Sequence, residues 1–364
     1  MRNDIDYRLK ENRFQGFDSF YRFMLTTGDW SPDINVETWI AKDLNFDFEK
    51  RCVMALFHGA TYAGPCETMF SDQFPVFNAK VVDEMIEFFY SNKGRLLFSP
   101  DCKYRKLVFE KFLRSVANSF GEYETLGNYI SASLKGDPNS NYNDLKNRCM
   151  KDWFHWGRMG HWCFTEALTK FIDAPLRPPN MEFADGNSHR SGWAFCVGED
   201  HLVDGKCSKQ DLERLERTAA EYLKKVNHPD AGFLSLETAC CNYKRQHKGS
   251  RYGGCYIDEQ AWEINYMKGL WPEYVWLWDK YFEGRSAVFP HSLLAEKNLE
   301  RFTSSSAYLQ SWNQALKKYG RIPRVEAYYN EEPQYWKELE DMRPHWKVFD
   351  SQDEDFPVLQ MFSE

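Results

Sequence analysis

Metal-binding and membrane-spanning patterns are absent from this sequence. Its ten cysteines include no Cys-x-x-Cys pair, and no histidine stands at the spacing of a zinc site, so no metal ligand set is predicted. It has no signal peptide, no transit peptide and no apolar run long enough to cross a bilayer. These absences predict a cytoplasmic protein with free thiols and no membrane partner.

An excess of positive charge is also absent. The formal net charge is −8, which argues against a histone-like or general polyanion binder but leaves room for a local basic face. One short stretch contains four basic residues, Lys244, Arg245, Lys248 and Arg251. Aromatic residues make up 17% of the chain; most are expected in the core, although extruded bases also stack on aromatic side chains.

Strand patterns are few and short, and we predict strands only around residues 95–98 and 192–197. Apolar residues otherwise recur at helical spacing, which predicts a mainly α protein. The clearest helix runs from Ser208 to about residue 226, since Ser208 and Asp211 are close to a capping-box pattern. A second long helix is predicted over residues 292–319.

The chain has no internal repeat and no low-complexity linker. Three prolines near residue 177 predict a loop. Beyond residue 325 the composition shifts to acidic, aromatic and proline residues. We therefore expect a main unit over residues 1–325 and a C-terminal extension over 326–364.

A glycine-containing turn between two helices is predicted within residues 154–168. Gly157 and Gly160 would allow a tight turn with positive φ, and the next helix would present its free N–H groups. A phosphate could bind there, with Arg158 adding a charge-assisted hydrogen bond. The alternative is that the glycines serve helix packing.

A second motif begins at Asp185, 28 residues after Gly157. Asp185-Gly186-Asn187 is typical of a turn or helix N-cap. Ser188, His189 and Arg190 follow directly. A capping aspartate explains this motif alone, but the two motifs together favour a functional site.

A third block combines acids, bases and a glycine pair. Its charged members are Glu237, Lys244, Arg251 and Asp258, and Tyr252 adjoins the glycines. Such groups can hold an amine and its carboxylate, or clamp a phosphate and activate a nucleophile. A surface salt-bridge network is the alternative; the apolar neighbours favour a pocket.

Thr61 and Tyr62 lie in a fourth block, between His58 and Pro65. They could line a nucleotide pocket. The glycine and proline of this block could equally mark the end of a helix.

The turn and Asp185 resemble the core of helix-hairpin-helix DNA glycosylases. Together, the four blocks are similar to the α-glutamyl/putrescinyl thymine pyrophosphorylases, or amino acid:DNA transferases. That resemblance implies a mainly α, two-lobed, helix-hairpin-helix glycosylase-like fold with a few short strands and the C-terminal extension. Residues 1–325 would be its catalytic unit.

The family serves bacterial viruses that hypermodify thymine, so the resemblance places the protein in an infected host cell. A partner kinase phosphorylates 5-hydroxymethyluracil in double-stranded DNA. The transferase then replaces the phosphate or pyrophosphate with an amine from an amino acid or polyamine. No organic cofactor is indicated, no residue is assigned to a metal, and whether a metal assists stays open. The target base would be extruded for reaction at its methylene group.

The resemblance also suggests roles for the motif residues. Asp185 or Glu237 would accept the amine proton, with Lys244 and Asp258 in the same catalytic set. The substrate and its phosphate would contact a larger set, namely Thr61, Tyr62, Arg158, Ser188, His189, Arg190, Arg251 and Tyr252. Gly157 and Gly160 would contact the DNA backbone. Addition of Cys240 to the base is a further route.

Two alternatives stay open: a base-excision glycosylase and a DNA-binding module without catalysis. A lyase-type glycosylase would need a hairpin lysine, and none lies between residues 154 and 169. From the motif, Asp185→Asn should abolish turnover and spare DNA binding, whereas a binding module would be unaffected.

Overall fold

The computed structural model describes residues 9–92, 94–99, 109–247 and 254–294. Over these residues the chain is almost entirely helical, which confirms the mainly α prediction. Its α-helices are α1 (Arg13–Thr27), α2 (Pro32–Asp43), α3 (Phe48–Thr61), α4 (Gly64–Gln73), α5 (Val82–Asn92), α6 (Phe109–Ser119), α7 (Leu126–Ser131), α8 (Pro138–Asp152), α9 (Arg158–Phe171), α10 (Asn187–Cys196), α11 (Lys209–Leu223), α12 (Phe233–His247), α13 (Cys255–Leu270) and α14 (Val275–Val288).

Short 3₁₀ turns connect several of these helices. They comprise Lys10–Asn12, Gly121–Tyr123, Asp200–Leu202, Pro272–Tyr274 and His291–Leu293. One isolated antiparallel bridge joins Asn78 and Thr125. The predicted helix over 292–319 and the extension over 326–364 fall almost wholly outside the described residues, so the division at residue 325 stays a prediction.

Both strand predictions are wrong. Residues 192–197 lie at the end of α10, and residues 95–98 form an irregular segment. A short apolar run does not distinguish a strand from a buried helix. Gly192 explains the helix, since a Cβ there would lie 2.6 Å from the carbonyl oxygen of Cys240 on α12. It therefore permits close packing of α10 on α12.

The capping prediction at Ser208 is confirmed. The Ser208 hydroxyl accepts a hydrogen bond from the Asp211 N–H, and the Asp211 carboxylate accepts one from the Ser208 N–H. Leu215 and Ala219 are buried on the inner face of α11. Local capping chemistry and helical spacing together located this helix. The loop predicted from the prolines is also present, between α9 and α10.

Helix α3 lies at the centre of the molecule. Every residue from Cys52 to Thr61 is buried, as expected of a helix enclosed by others. Its closest partner is α9, and the two backbones approach at Gly59 and Gly160. A Cβ on Gly59 would lie 2.6 Å from the Gly160 carbonyl oxygen and 2.6 Å from the Trp156 ring. The glycine pair therefore sets the spacing of α3 and α9.

The predicted turn joins α8 to α9, but its glycines do not have the predicted conformation. The positive φ, 54°, belongs to His155. Gly157 is the extended N-cap of α9, and Gly160 is buried inside that helix. The alternative that the glycines serve helix packing therefore applies to Gly160. The helix-hairpin-helix glycosylase likeness stays a prediction.

We predict that Gly59→Ala lowers the free energy of unfolding by about 1–3 kcal/mol, because its methyl group would overlap backbone atoms of α9. Gly269→Ala is the matched control: it lies in α13 with no atom within 4 Å of its added Cβ. The control should be neutral or gain up to about 1 kcal/mol from helix propensity. Denaturant unfolding measures both, and equal effects would contradict the packing role.

Candidate active site

A cavity of about 160 Å³ opens where the start of α2 and the end of α3 meet α9, α12 and α13. Its volume suits a small organic molecule. Its lining residues are Trp30, Ser31, Pro32, Asp33, His58, Tyr62, Ser99, Met159, Cys163, Glu166, Thr238, Tyr256, Glu259 and Glu263.

Acidic side chains dominate the polar part of this cavity. Glu166, Glu259 and Glu263 line it and are at most 8% exposed, and Asp33 lies beside them. Glu37 and Glu67 are fully buried behind His58. Five separate helices, α2, α4, α9, α13 and the end of α3, thus contribute one acid–histidine cluster.

Hydrogen bonds hold the deep part of the cluster. His58 Nδ1 lies 2.9 and 3.0 Å from the two carboxylate oxygens of Glu67. The Ala63 N–H donates to Glu67 Oε1 at 2.9 Å. Glu37 Oε1 accepts from the hydroxyls of Tyr281 at 2.7 Å and Thr68 at 2.9 Å. These bonds orient the carboxylates.

Burial raises the pKa of these acids. It is the main cause of the raised pKa values of Glu37, Glu67 and Glu263, and repulsion from Asp33 adds to it in all three. Burial also raises the pKa of Glu166 to about 7, with Glu237 raising it further while His58, Lys170 and a Ser31 hydrogen bond oppose the shift. At neutral pH Glu166 therefore exchanges a proton readily.

One guanidinium packs behind the acids. Arg285 on α14 donates to the Ile257 carbonyl at 2.7 Å and to Gln260 Oε1 at 2.8 Å. Burial lowers its pKa to about 10, so it stays charged at neutral pH. Gln260 in turn donates to Asp33 at 2.8 Å, which connects α14, α13 and α2.

A second charged cluster lies on the other side of α9, around Arg158. Its Nε is 3.2 Å from Glu182 Oε2 and its NH1 is 3.4 Å from Glu237 Oε1. Glu237 also lies 3.5 Å from His189 Nδ1. Lys146 donates to Glu182 at 2.7 Å. In this cluster the charges are balanced, in contrast to the cavity.

Comparison with known proteins places this geometry in a family. The amino acid:DNA transferase model matches residues 29–252, well over half of the chain. The chain belongs to the amino acid:DNA transferase family. It is also 26% identical over 334 aligned positions to a protein named serinyltransferase from Salmonella phage ViI, covering 80% of this chain and 78% of that protein. The family resemblance inferred from the motifs is thereby confirmed, and the protein is a transferase that acts on DNA.

The matched region contains most of the cavity of this amino acid:DNA transferase. Eleven of the fourteen lining residues fall within 29–252; Tyr256, Glu259 and Glu263 on α13 follow it. Among the residues with assigned positions, no helix combines the length and apolar character needed to span a membrane.

The structure places Asp185 away from the cavity. Its side chain is 60% exposed and lies 3.8 Å from Lys146 Nζ, beside a separate depression formed with α11. Position 186 requires glycine, because a Cβ there would lie 2.0 Å from a ring carbon of His189. His189 is buried beneath the turn, and burial lowers its pKa.

The structure brings His189 and Glu237 of these motifs together with Arg158, whereas the remaining motif residues are dispersed. Ser188 is exposed, 3.5 Å from Cys241 Sγ, and Arg190 is half-buried. Lys244 contacts Ser191 and lies 2.8 Å from Asp204. Arg251 and Tyr252 lie outside the described residues. Cys240 is buried, and burial raises the pKa of its thiol.

Of the predicted site residues that the structure describes, Tyr62 lines the cavity. Tyr62 ends α3 with φ of 53°. Thr61 is buried and donates to the Phe57 carbonyl, so the helix-end alternative describes it. Asp258 is buried at the start of α13. Burial lowers the pKa of Arg285, and the charge of Asp258 partly offsets that effect.

The acids of the cavity lie outside the sequence motifs. Asp33, Glu37, Glu67 and Glu166 are separated by long intervals and belong to no common motif. A local signal existed at Glu67 and Glu166, each of which has an apolar residue within two positions on either side. An acid at a buried position of an amphipathic helix is unusual unless it is paired or functional.

We predict that thermal stability falls as the pH rises from 4.5 through about 7, because the raised pKa of Glu166 favours the protonated folded state. Glu166→Gln should show a smaller fall in stability with rising pH. Above pH 7 its free energy of unfolding should exceed that of the wild type by at most about 3 kcal/mol. The exposed Glu221→Gln is the control. Unfolding curves at several pH values measure this, and identical pH slopes would refute it.

Proposed function

We propose that the protein transfers an amino acid, or a related amine, to the 5-methylene of phosphorylated or pyrophosphorylated 5-hydroxymethyluracil in double-stranded DNA, with release of phosphate or pyrophosphate. The acid-lined cavity supports this proposal most directly. Its volume matches a small amino acid, and its carboxylates attract the donor's ammonium group. A kinase that phosphorylates the hydroxymethyl group is the functional partner implied by this substrate.

Glu166 is the base that we propose for the donor. An ammonium is not a nucleophile and must lose a proton before it attacks. Glu166 lines the cavity, and its pKa of about 7 permits proton uptake near neutral pH. The nitrogen lone pair then forms a bond to the methylene carbon. The carbon–oxygen bond breaks, and its electron pair leaves with the phosphate oxygen.

Met159 and Tyr62 mark where the base would be received. Both line the cavity, and Met159 is 46% exposed at the N-terminal turn of α9. A target inside a duplex must be extruded to reach such a cavity. Apolar and aromatic side chains at the opening provide surfaces on which an extruded base can pack.

The assay uses duplex DNA with phosphorylated 5-hydroxymethyluracil and serine, glycine, glutamate or putrescine as donors. Digestion to nucleosides and mass spectrometry should reveal a nucleoside that carries the donor. With serine, fragmentation also identifies whether nitrogen or the hydroxyl oxygen joins the methylene. Abasic DNA would support the glycosylase alternative, and unchanged DNA with every donor would count against the proposal.

Two variants distinguish the cavity from the sequence motif. Glu166→Gln should lower kcat by about 10²- to 10⁴-fold while DNA binding persists, since it removes the base. Asp185→Asn should retain activity, because Asp185 lies outside the cavity. The motif predicts loss of activity in Asp185→Asn, so the opposite pattern would return the base role to Asp185.

Met159→Ala should weaken productive DNA binding on the order of tenfold, because it removes an apolar contact at the cavity opening. Met150→Ala is the control, since Met150 is similarly exposed, at 42%, but lies on α8 outside the cavity lining. KM for the modified duplex measures the effect. Equal KM values for the two variants would exclude base contact by Met159.

A further inference from the structure

Three buried side chains at the inner wall of the cavity come within metal-binding distance of one another. Ligand atoms of Glu37, His58 and Glu67 all lie within 4.8 Å of one another. Glu37 and Glu67 are fully buried, and His58 is 8% exposed. We propose that these residues bind a divalent metal ion, with Glu263 beside them, and that the ion attracts the phosphate of the modified base.

The hydrogen bonding of the carboxylates is compatible with a bound cation. Glu37 Oε1 receives two hydroxyl donors, whereas its Oε2 is buried and receives no hydroxyl, amide or basic donor among the described residues; the Glu67 carboxyl is its neighbour. Glu263 Oε2 is likewise buried with no hydrogen-bond donor among the described residues, and Glu263 is 2% exposed. A buried carboxylate oxygen without a partner is costly, and a bound cation would satisfy it.

The local charge leads to the same inference. Ligand atoms of Glu37 and Glu67 lie within 4.8 Å of each other and of His58, and Asp33 and Glu263 line the adjoining cavity. The nearby cation, Arg285, is directed to Gln260 and the Ile257 carbonyl. A divalent ion would neutralise two of the negative charges.

The ligand types restrict the metal. Carboxylate oxygens suit Mg²⁺ and Mn²⁺, and a single imidazole extends the choice to Zn²⁺. No cysteine belongs to the group. The sequence shows no metal motif because these residues are far apart in the chain and come from three helices, α2, α3 and α4.

The site also resolves a difficulty in the proposed function, on which this part of the inference rests. A phosphorylated base is an anion, and a cavity lined by carboxylates repels it. A divalent ion behind His58 would weaken that repulsion by offsetting two of the negative charges. It would also stabilise the charge that develops on the leaving oxygen.

Metal binding is tested on the full chain without DNA or donor. The chain is stripped with chelator and titrated with Mn²⁺, and free Mn²⁺ is followed by electron paramagnetic resonance. We expect one bound ion per chain, competition by Mg²⁺ or Zn²⁺, and a higher melting temperature with the metal.

Variants assign the binding to these residues. Glu67→Gln keeps an oxygen that can accept the Ala63 N–H. This variant, Glu37→Gln and His58→Ala should each weaken Mn²⁺ binding at least tenfold. Glu216→Gln is the control. Glu216 is a partly buried carboxylate that accepts the Met181 and Phe183 N–H groups away from the cavity. Circular dichroism confirms that each variant is folded.

Absence of Mn²⁺ binding to the wild type, or equal binding by all variants, would overturn the metal site. Site-specific binding in a chain that transfers no donor would support the site and count against the proposed function. Full transfer in excess chelator, by a chain that binds no Mn²⁺, would overturn the metal site and leave the proposed function standing.

Discussion

Helices α3 and α9 meet at Gly59 and Gly160, where a single added methyl group would collide with backbone atoms. This contact holds the C-terminal end of α3 against the N-terminal half of α9. His58 and Tyr62 therefore line the same cavity as Cys163 and Glu166. The remaining walls, from α2, α12 and α13, pack around this pair. The position of every group proposed for chemistry thus depends on a close helix–helix approach.

The two charged clusters beside α9 differ in their balance. Arg158 and Lys146 pair with Glu182 and Glu237, so the positive and negative charges of that cluster cancel. These ion pairs connect α8, α9 and α12. The cavity concentrates carboxylates with raised pKa values instead. Folding tolerates this arrangement at the expense of stability near neutral pH. Such an imbalance is typical of functional sites, where protons or cations are bound.

Membership of the amino acid:DNA transferase family gives the cavity a chemical context. The transfer that we propose would need a cation-attracting pocket, a group that takes a proton near neutral pH, and compensation for a departing phosphate. The acids, Glu166 and the proposed metal site correspond to these three needs. The Asp185 motif, which first suggested DNA chemistry, mainly buries His189 beneath Gly186. It was informative about the family, and its role in catalysis stays a prediction.

Local physics made the helical class predictable from the helical spacing of apolar residues, and the Ser208–Asp211 capping box marked the start of α11. The order of the motifs was sufficient to identify the family. Residues 192–197 were misread because a buried run of apolar residues looks alike in a strand and a helix. The acid cluster could be found only in the tertiary structure. Its members are scattered from Asp33 to Glu263, and long-range packing alone brings their charges together.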